Sequence, residues 1–282
     1  MKPILVFQTD FTYKEGAVSS MYGVVKRVDR ELEIFDSTHE VPNYDIWSAS
    51  FRLFQPMKFW PEGTVFVSVV DPGVGTPRKA SIALTNNGYY IVTPDNGTLT
   101  HVDKVYGIKR IIEIDIDTHR LKGLGTEGIS VFHGRDVFAY CAARLASGQV
   151  PFEAFGHEYP VSEIVRFELL EPYQEAGSVG GMAEIIDPNF GNLWTNIPMA
   201  YLADRLGEKV QVQVYDGEGA RVFDEEIVIH KTFGDVPKGA LTIYQNEYGN
   251  ASIAINQGSF IRQYPIPYGA NIRIEMIFRG DL

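Results

Sequence analysis

The sequence predicts an α/β N-terminal domain with a largely parallel sheet, followed by a smaller all-β, barrel-like C-terminal domain. Three observations predict it. Strand and helix signals alternate through the first half of the chain. Short strands separated by turn residues dominate the second half. The change falls near Leu169, beside the polar, turn-forming stretch Glu171-Pro172-Tyr173-Gln174-Glu175-Ala176-Gly177. Alternation of this kind is what helices packed on a parallel sheet produce, and closely spaced strands with turn signals are what a barrel or sandwich produces. The expected division is 1–168, a linker over 169–178, and 179–282.

The N-terminal elements follow in order. Residues 3–7 read as a buried strand ending in the polar Gln8-Thr9-Asp10. Residues 17–28 place Met21, Val24, Val25 and Val28 on one helical face. A short strand at 32–36 and a helix at 45–55 come next, then a strand at 64–70 that breaks at Asp71-Pro72-Gly73. Strand signals at 81–84 and 89–94 flank Asn86-Asn87-Gly88, a hairpin turn signal. Residues 136–146 read as a helix, with Asp136 in its N-cap region and a stop near Ser147-Gly148. In the second half, strands are expected at 181–186, 210–215, 227–230, 241–244 and 271–277.

Composition narrows the function classes. The chain has 282 residues, is 45% hydrophobic and 22% charged, and carries a net charge of −11. Nucleic-acid binding needs clustered Lys and Arg to neutralise phosphates, and the sequence has no basic run, so no nucleic-acid partner is expected. No apolar run approaches a membrane span, and the N-terminus lacks the basic region and long apolar core of a signal peptide. A cytoplasmic protein with no membrane partner is therefore expected. The single cysteine, Cys141, sits in an apolar stretch and reads as a buried structural thiol.

Ligands of open α/β sheets bind beyond the carboxyl ends of the strands. Asp10 and Asp71 each follow an apolar strand and begin a loop, although an Asp there is also a common cap or turn residue. The loop Asp71-Pro72-Gly73-Val74-Gly75-Thr76-Pro77-Arg78-Lys79 lacks the Gly-Lys-Ser/Thr ending of a phosphate-binding loop. Its residue types suit holding a carboxylate and a guanidinium together. Phe132-His133-Gly134-Arg135-Asp136 supplies a histidine, which exchanges protons near neutral pH. The other histidines show no metal-ligand spacing with His133, so neither a metal nor a cofactor is expected. Asp187-Pro188-Asn189-Phe190-Gly191-Asn192-Leu193-Trp194-Thr195-Asn196 packs a carboxylate, amides and aromatics into ten positions, a set able to hold an ammonium group, or simply a turn. Residues 244–250 and 252–258 read as a hairpin with polar groups at its tip and exit.

Together these motifs resemble one family over essentially the whole chain: the S-adenosyl-L-methionine (SAM) hydroxide adenosyltransferases, or adenosine-forming SAM hydrolases, related in fold to fluorinase and chlorinase. Thr93-Pro94-Asp95-Asn96-Gly97 adds to the resemblance. It implies SAM as substrate, adenosine and methionine as products, and a homotrimer with sites where subunits meet. It places Asp10 on the ribose hydroxyls and Tyr44 against the nucleoside, with Phe132 and Gly134 also at the substrate. Asp187 and Asn192 would hold the methionine amino group, with Phe190 nearby. Glu247, Tyr248, Asn256 and Gln257 would reach the substrate from a neighbouring subunit. Asp71, Arg78 and His133 match the set that distinguishes the hydrolases and would surround the attacking water.

The sequence departs from the halogenases. The resemblance implies a tyrosine in fluorinase where Asp71 stands and a tyrosine-serine pair at His133-Gly134. It also implies a longer insertion than Asn86-Asn87-Gly88 allows. A water site is expected over a halide site. The alternatives are a non-catalytic nucleoside-binding or SAM-binding protein, a carboxylate metallohydrolase using Asp10, Asp71 and Asp187, and a halide-dependent SAM halogenase.

Overall fold

The computed structural model describes residues 2–128 and 130–278. The chain forms two compact units, Met1–Phe167 and Glu168–Leu282. In the first, the elements run β1 (Leu5–Thr9), α1 (Ala17–Val28), β2 (Ile34–Thr38), α2 (Ile46–Met57), β3 (Val65–Val69), β4 (Ala80–Thr85), β5 (Tyr90–Pro94), α3 (Thr100–Tyr106), β6 (Ile108–Ile114), α4 (Ile116–His119), a π-helical turn (Gly134–Ala139), α5 (Tyr140–Ala146) and β7 (Gly156–Glu158). They build one seven-stranded sheet in the order β2-β1-β3-β5-β4-β6-β7.

The first four strands of that order are parallel. β1 and β3 are buried along their whole length, as expected of parallel strands covered on both faces. Alternate side chains feed two cores. Leu5, Phe7, Val65, Val67 and Val69 meet Met21 and Val25 of α1 and Cys141 of α5. Val6 and Phe66 meet Leu53 and Met57 of α2 on the opposite face. Cys141 is fully buried, and burial pushes its thiol pKa up to about 12. The sheet turns antiparallel from β5 onward, because the Asn86-Asn87-Gly88 turn joins β4 and β5 too tightly for a parallel crossover.

The structure corrects the sequence reading around Asp136. Residues 134–139 form a π turn rather than the start of an α-helix. Asp136 does not cap that turn; its carboxylate is fully buried and pairs with Arg135. α3 and β6 had no clear periodic signal, since β6 mixes buried isoleucines with Lys109, Arg110 and Glu113 at irregular spacing.

The second unit contains β8 (Tyr173–Glu175), β9 (Ser178–Ile186), β10 (Leu193–Pro198), β11 (Lys209–Tyr215), β12 (Arg221–Val228), β13 (Leu241–Gln245), β14 (Asn250–Ile255), α6 (Phe260–Gln263) and β15 (Arg273–Phe278). The antiparallel order is β12-β11-β15-β9-β10-β14-β13, with β8 added to β9. An isolated bridge between Ile229 and Ile243 brings the two ends of the order together, so the sheet is a nearly closed barrel. Inward residues such as Val212, Val214, Ile253 and Ile274 fill it. β8 lies inside the stretch read as linker and pairs with β9, so residues 173–175 are part of the sheet. Among the described residues no helix is long and apolar enough to cross a membrane.

Gly156 opens β7 where a side chain has no room: a Cβ there would lie 1.9 Å from the Glu113 carbonyl oxygen. Backbone cannot move aside cheaply. Gly156→Ala is therefore expected to destabilise the protein by about 1–3 kcal/mol or more, read as a lowered urea midpoint.

Candidate functional site

The parallel pairing of β1 with β3 sets Thr9 opposite Val69. Asp10 and Asp71 therefore leave the sheet side by side at its carboxyl edge. Both line a cavity of about 300 Å³, with Tyr44, Phe132, His133 and Gly134 on its other walls.

Asp71 and Arg78 are the two ends of the Pro/Gly loop after β3. The loop folds back through bonds from the Val74 amide to the Asp71 carbonyl (3.2 Å) and from the Thr76 hydroxyl to the Gly73 carbonyl (2.7 Å). Gly75 takes a φ of 79° at the reversal, a conformation that disfavours a side chain. The Asn96 amide donates to the Val70 carbonyl at 2.9 Å and steadies the loop's first residues. The reversal lets Arg78 bind Asp71 through Nε (2.9 Å to Oδ1) and through Nη2, which donates to Oδ2. The two side chains are only 9% and 5% exposed, so this fork-to-carboxylate pair is well shielded from water.

The same Arg78 Nη2 lies 3.0 Å from Nδ1 of His133. A guanidinium can only donate, so Nδ1 accepts and the neutral ring carries its proton on Nε2. His133 is 7% exposed. Burial holds its pKa below the ordinary histidine value, and the Arg78 charge lowers it further. The result is a chain from Asp71 through Arg78 to a neutral His133 on the cavity wall.

Asp10 is buried, and its Oδ2 accepts from the Tyr44 amide at 3.0 Å. Burial raises its pKa, the Tyr44 bond opposes the rise, and Asp71 adds repulsion. Tyr44 contributes its backbone to this contact, with φ at 66°, while its ring is 72% exposed at the rim. Thr12 (φ 55°) and Gln257 (φ 53°) share this left-handed conformation, costly for residues with a side chain. Thr12 lies two residues past Asp10, and Tyr44 and Gln257 are themselves expected site residues, in keeping with strained backbone at binding sites. Gly134 packs beneath Phe11 and Phe132: a Cβ there would meet the two rings at 3.1 and 3.2 Å.

The second unit carries its own cavity, of about 490 Å³, lined in part by Trp194 of β10, Tyr244 and Gln245 of β13 and Ile255 of β14. Asp187, Phe190, Asn192, Glu247, Asn256 and Gln257 line it. Tyr248 is not one of the lining residues; its ring lies 5.9 Å from that of Trp194, which is. Asp187 Oδ1 accepts from the Asn189 amide at 2.9 Å and shapes the turn between β9 and β10. Asn192 Nδ2 donates to the Tyr244 hydroxyl at 3.3 Å. Asn256 is tied down by its own fold, with Nδ2 donating to the Val236 carbonyl at 2.6 Å, so its side-chain carbonyl is what it offers a ligand.

The structure thus brings Asp10, Tyr44, Asp71, Arg78, Phe132, His133 and Gly134 together on the first unit, and the other candidates together on the second. Phe11 and Asn43 also line the first cavity, and Trp194, Tyr244 and Asn246 the second. Phe11 adjoins Asp10 in sequence, so adjacency to that motif was its one available signal. Asn246 builds the β13–β14 turn by accepting from the Tyr248 and Asn250 amides at 2.9 and 3.1 Å. Among the described residues no three His, Cys, Asp or Glu side chains are grouped to hold a metal ion.

Comparison with known proteins gives the same partition. Residues 5–156 match the SAM hydroxide adenosyltransferase N-terminal domain, and residues 181–273 match its C-terminal domain. The chain is 32% identical to an (R)-S-adenosyl-L-methionine hydrolase of Thermus thermophilus, over 97% of this chain and all of that one. It is 25% identical to a fluorinase of Actinopolyspora mzabensis, over 97% of each. A crystal structure of an uncharacterized conserved protein from Thermotoga maritima superposes with a TM-score of 0.84 at 34% identity, covering 97% of this chain and 100% of that one. With both domains matched in order and relatives aligned over nearly its full length, the chain belongs to the SAM hydroxide adenosyltransferase family.

Proposed function

We propose that this protein hydrolyses S-adenosyl-L-methionine to adenosine and methionine by in-line attack of water at C5′ of the ribose. The observation that carries the proposal is the Asp71–Arg78–His133 chain on the wall of a cavity that also holds Asp10. The sulfonium leaves as neutral methionine thioether without help from an acid. The C5′–S bond breaks with its electron pair going to sulfur, the C5′–O bond forms, and one proton of the water is released to solvent. What the protein supplies is a held, desolvated water, an effect worth about 7–11 kcal/mol in favourable cases.

His133 donates from Nε2 and orients the water oxygen. Arg78 keeps the ring in that tautomer, and Asp71 is the acceptor of the set. Arg78 is not the base, because a guanidinium offers only donors. Asp10 takes the ribose hydroxyls, and the Phe132 and Tyr44 rings take the nucleoside. Asp10, Glu15 and Asp71 all line the cavity, which suits a cationic substrate. Asp187, Asn192 and Phe190 hold the methionine portion, with Glu247, Tyr248, Asn256 and Gln257 beside it. In the same proposal three copies assemble so that the second-unit cavity of one subunit completes the first-unit cavity of its neighbour. Water is favoured over halide because a serine at Gly134 would press on the Phe11 and Phe132 rings.

The decisive test supplies the (R) and (S) sulfonium epimers separately in ¹⁸O-labelled water. The name of the Thermus thermophilus relative favours the (R) epimer. Label in the adenosine 5′-hydroxyl is expected; adenosine without label, or no adenosine at all, refutes attack by water at C5′.

Asp71→Ala is expected to lower kcat by about 10²-fold or more while adenosine affinity by calorimetry changes little. Unchanged turnover would remove Asp71 from the water site.

The pH dependence follows from the sign of the His133 shift. Its pKa lies below 6.5, so the ring is neutral and accepts from Arg78 at neutral pH. Protonation sets an N–H against the Arg78 donor. The rate is therefore expected to hold at neutral pH and to fall only as pH drops through the lowered pKa. A profile already falling above 6.5 contradicts this assignment.

A further inference from the structure

Three residues beyond His133, on the π turn, lies a carboxylate that the proposed reaction does not use. Asp136 is completely buried. Arg135 clamps it with Nε at 2.6 Å from Oδ1 and Nη2 at 3.0 Å from Oδ2. Arg120, from the segment after α4, approaches Oδ2 at 3.6 Å. The main chain of Asp136 joins the same two segments: its amide donates to the Phe132 carbonyl at 3.1 Å, and its carbonyl accepts from the Leu121 amide at 2.9 Å. Arg120 also donates to the Thr126 carbonyl at 3.1 Å, while its buried Nε–H has no acceptor among the described residues. Burying a carboxylate and parts of two guanidiniums is costly, and well-packed apolar side chains could join the segments as firmly. The charges therefore call for a role beyond packing.

We propose that Asp136, clamped by Arg135 and Arg120, is a positioning residue that fixes His133 against Arg78 and sets the electrostatic field on its ring. This rests on the water-site role assigned to His133. The geometry is that of a buried carboxylate three residues beyond His133 on one turn, held by Arg135 from the turn itself and by Arg120 from the segment after α4, while Asp71–Arg78 on the loop after β3 holds the imidazole directly. The charged groups that act on the ring are Arg78 and Asp71 from that loop, Arg120 from the segment after α4, and Asp136 from its own turn. Arg120 disfavours the imidazolium and Asp136 favours it. The π turn is what seats Asp136 inside while leaving His133 at the cavity, a use of such turns common at functional sites.

The test measures the His133 ring titration by NMR in ligand-free enzyme, alongside steady-state kinetics, for Asp136→Asn, Arg120→Met and Arg120→Lys. Arg120→Met is expected to move the titration up, and with it the acid limb of the rate profile. Asp136→Asn is expected to move both down. Arg120→Lys, which keeps the charge, is expected to leave the titration in place. In Arg120→Met and Asp136→Asn, kcat is expected to fall by up to about 10²-fold with KM for SAM little changed. Shifts of opposite sign are not what a general loosening of the fold would give. Parent-like titrations and kcat, or shifts in the same direction, overturn the proposal; if Asp136→Asn does not fold, the two Arg120 variants decide it by the same criteria. His133→Ala with full activity would instead sink the water-site reading, which the ring titrations do not depend on.

Discussion

The register between two parallel strands governs the rest of the N-terminal unit. Thr9 of β1 stands opposite Val69 of β3, so two chain segments about sixty residues apart exit the sheet together. Burial on both faces holds that register. A slip by one residue would turn Leu5 and Phe7 toward the α2 side and Val6 toward the α1 side, against the shape of both cores. The position of Asp10 relative to Asp71 is therefore a consequence of hydrophobic packing well below the cavity.

Above that edge, charge takes over from packing. Arg78 binds Asp71 and His133 with one guanidinium, which determines the imidazole tautomer as well as its place. The low exposure of all three groups strengthens these bonds, because water competes poorly for them. Burial also disfavours the imidazolium, so the site keeps a neutral ring beside a paired carboxylate. Asp136 repeats the carboxylate–guanidinium arrangement three residues beyond His133, again with the carboxylate buried.

Much of the fold was legible. Helix α1 follows from the spacing of Met21, Val24, Val25 and Val28, because a 3.6-residue period is a local property. The β4–β5 hairpin follows from Asn86-Asn87-Gly88 for the same reason. The antiparallel half of the first sheet was harder to read, since pairing partners of β6 lie far away in sequence. The π turn was illegible, because nothing in the residue types of Gly134–Ala139 separates its wider hydrogen-bond spacing from that of an α-helix. The candidate site was legible as motifs, and mainly through their joint resemblance to one family. Individually, Asp10, Asp71 and His133 read as well as caps, turns or solvated groups.

The sequence by itself determined the alternation of strands and helices, the change to closely spaced strands near Leu169, and the residue types available for chemistry. These are local, carried by periodicity and turn chemistry within a few residues. Only the tertiary structure decided which of those residues meet: that Asp71 and Arg78 close into a pair and engage His133, that Tyr44 serves Asp10 through its amide, and that Asn256 is held by the Val236 carbonyl. Contact between distant segments is set by packing and by the need to pair buried polar groups, and neither is written in any single stretch of chain.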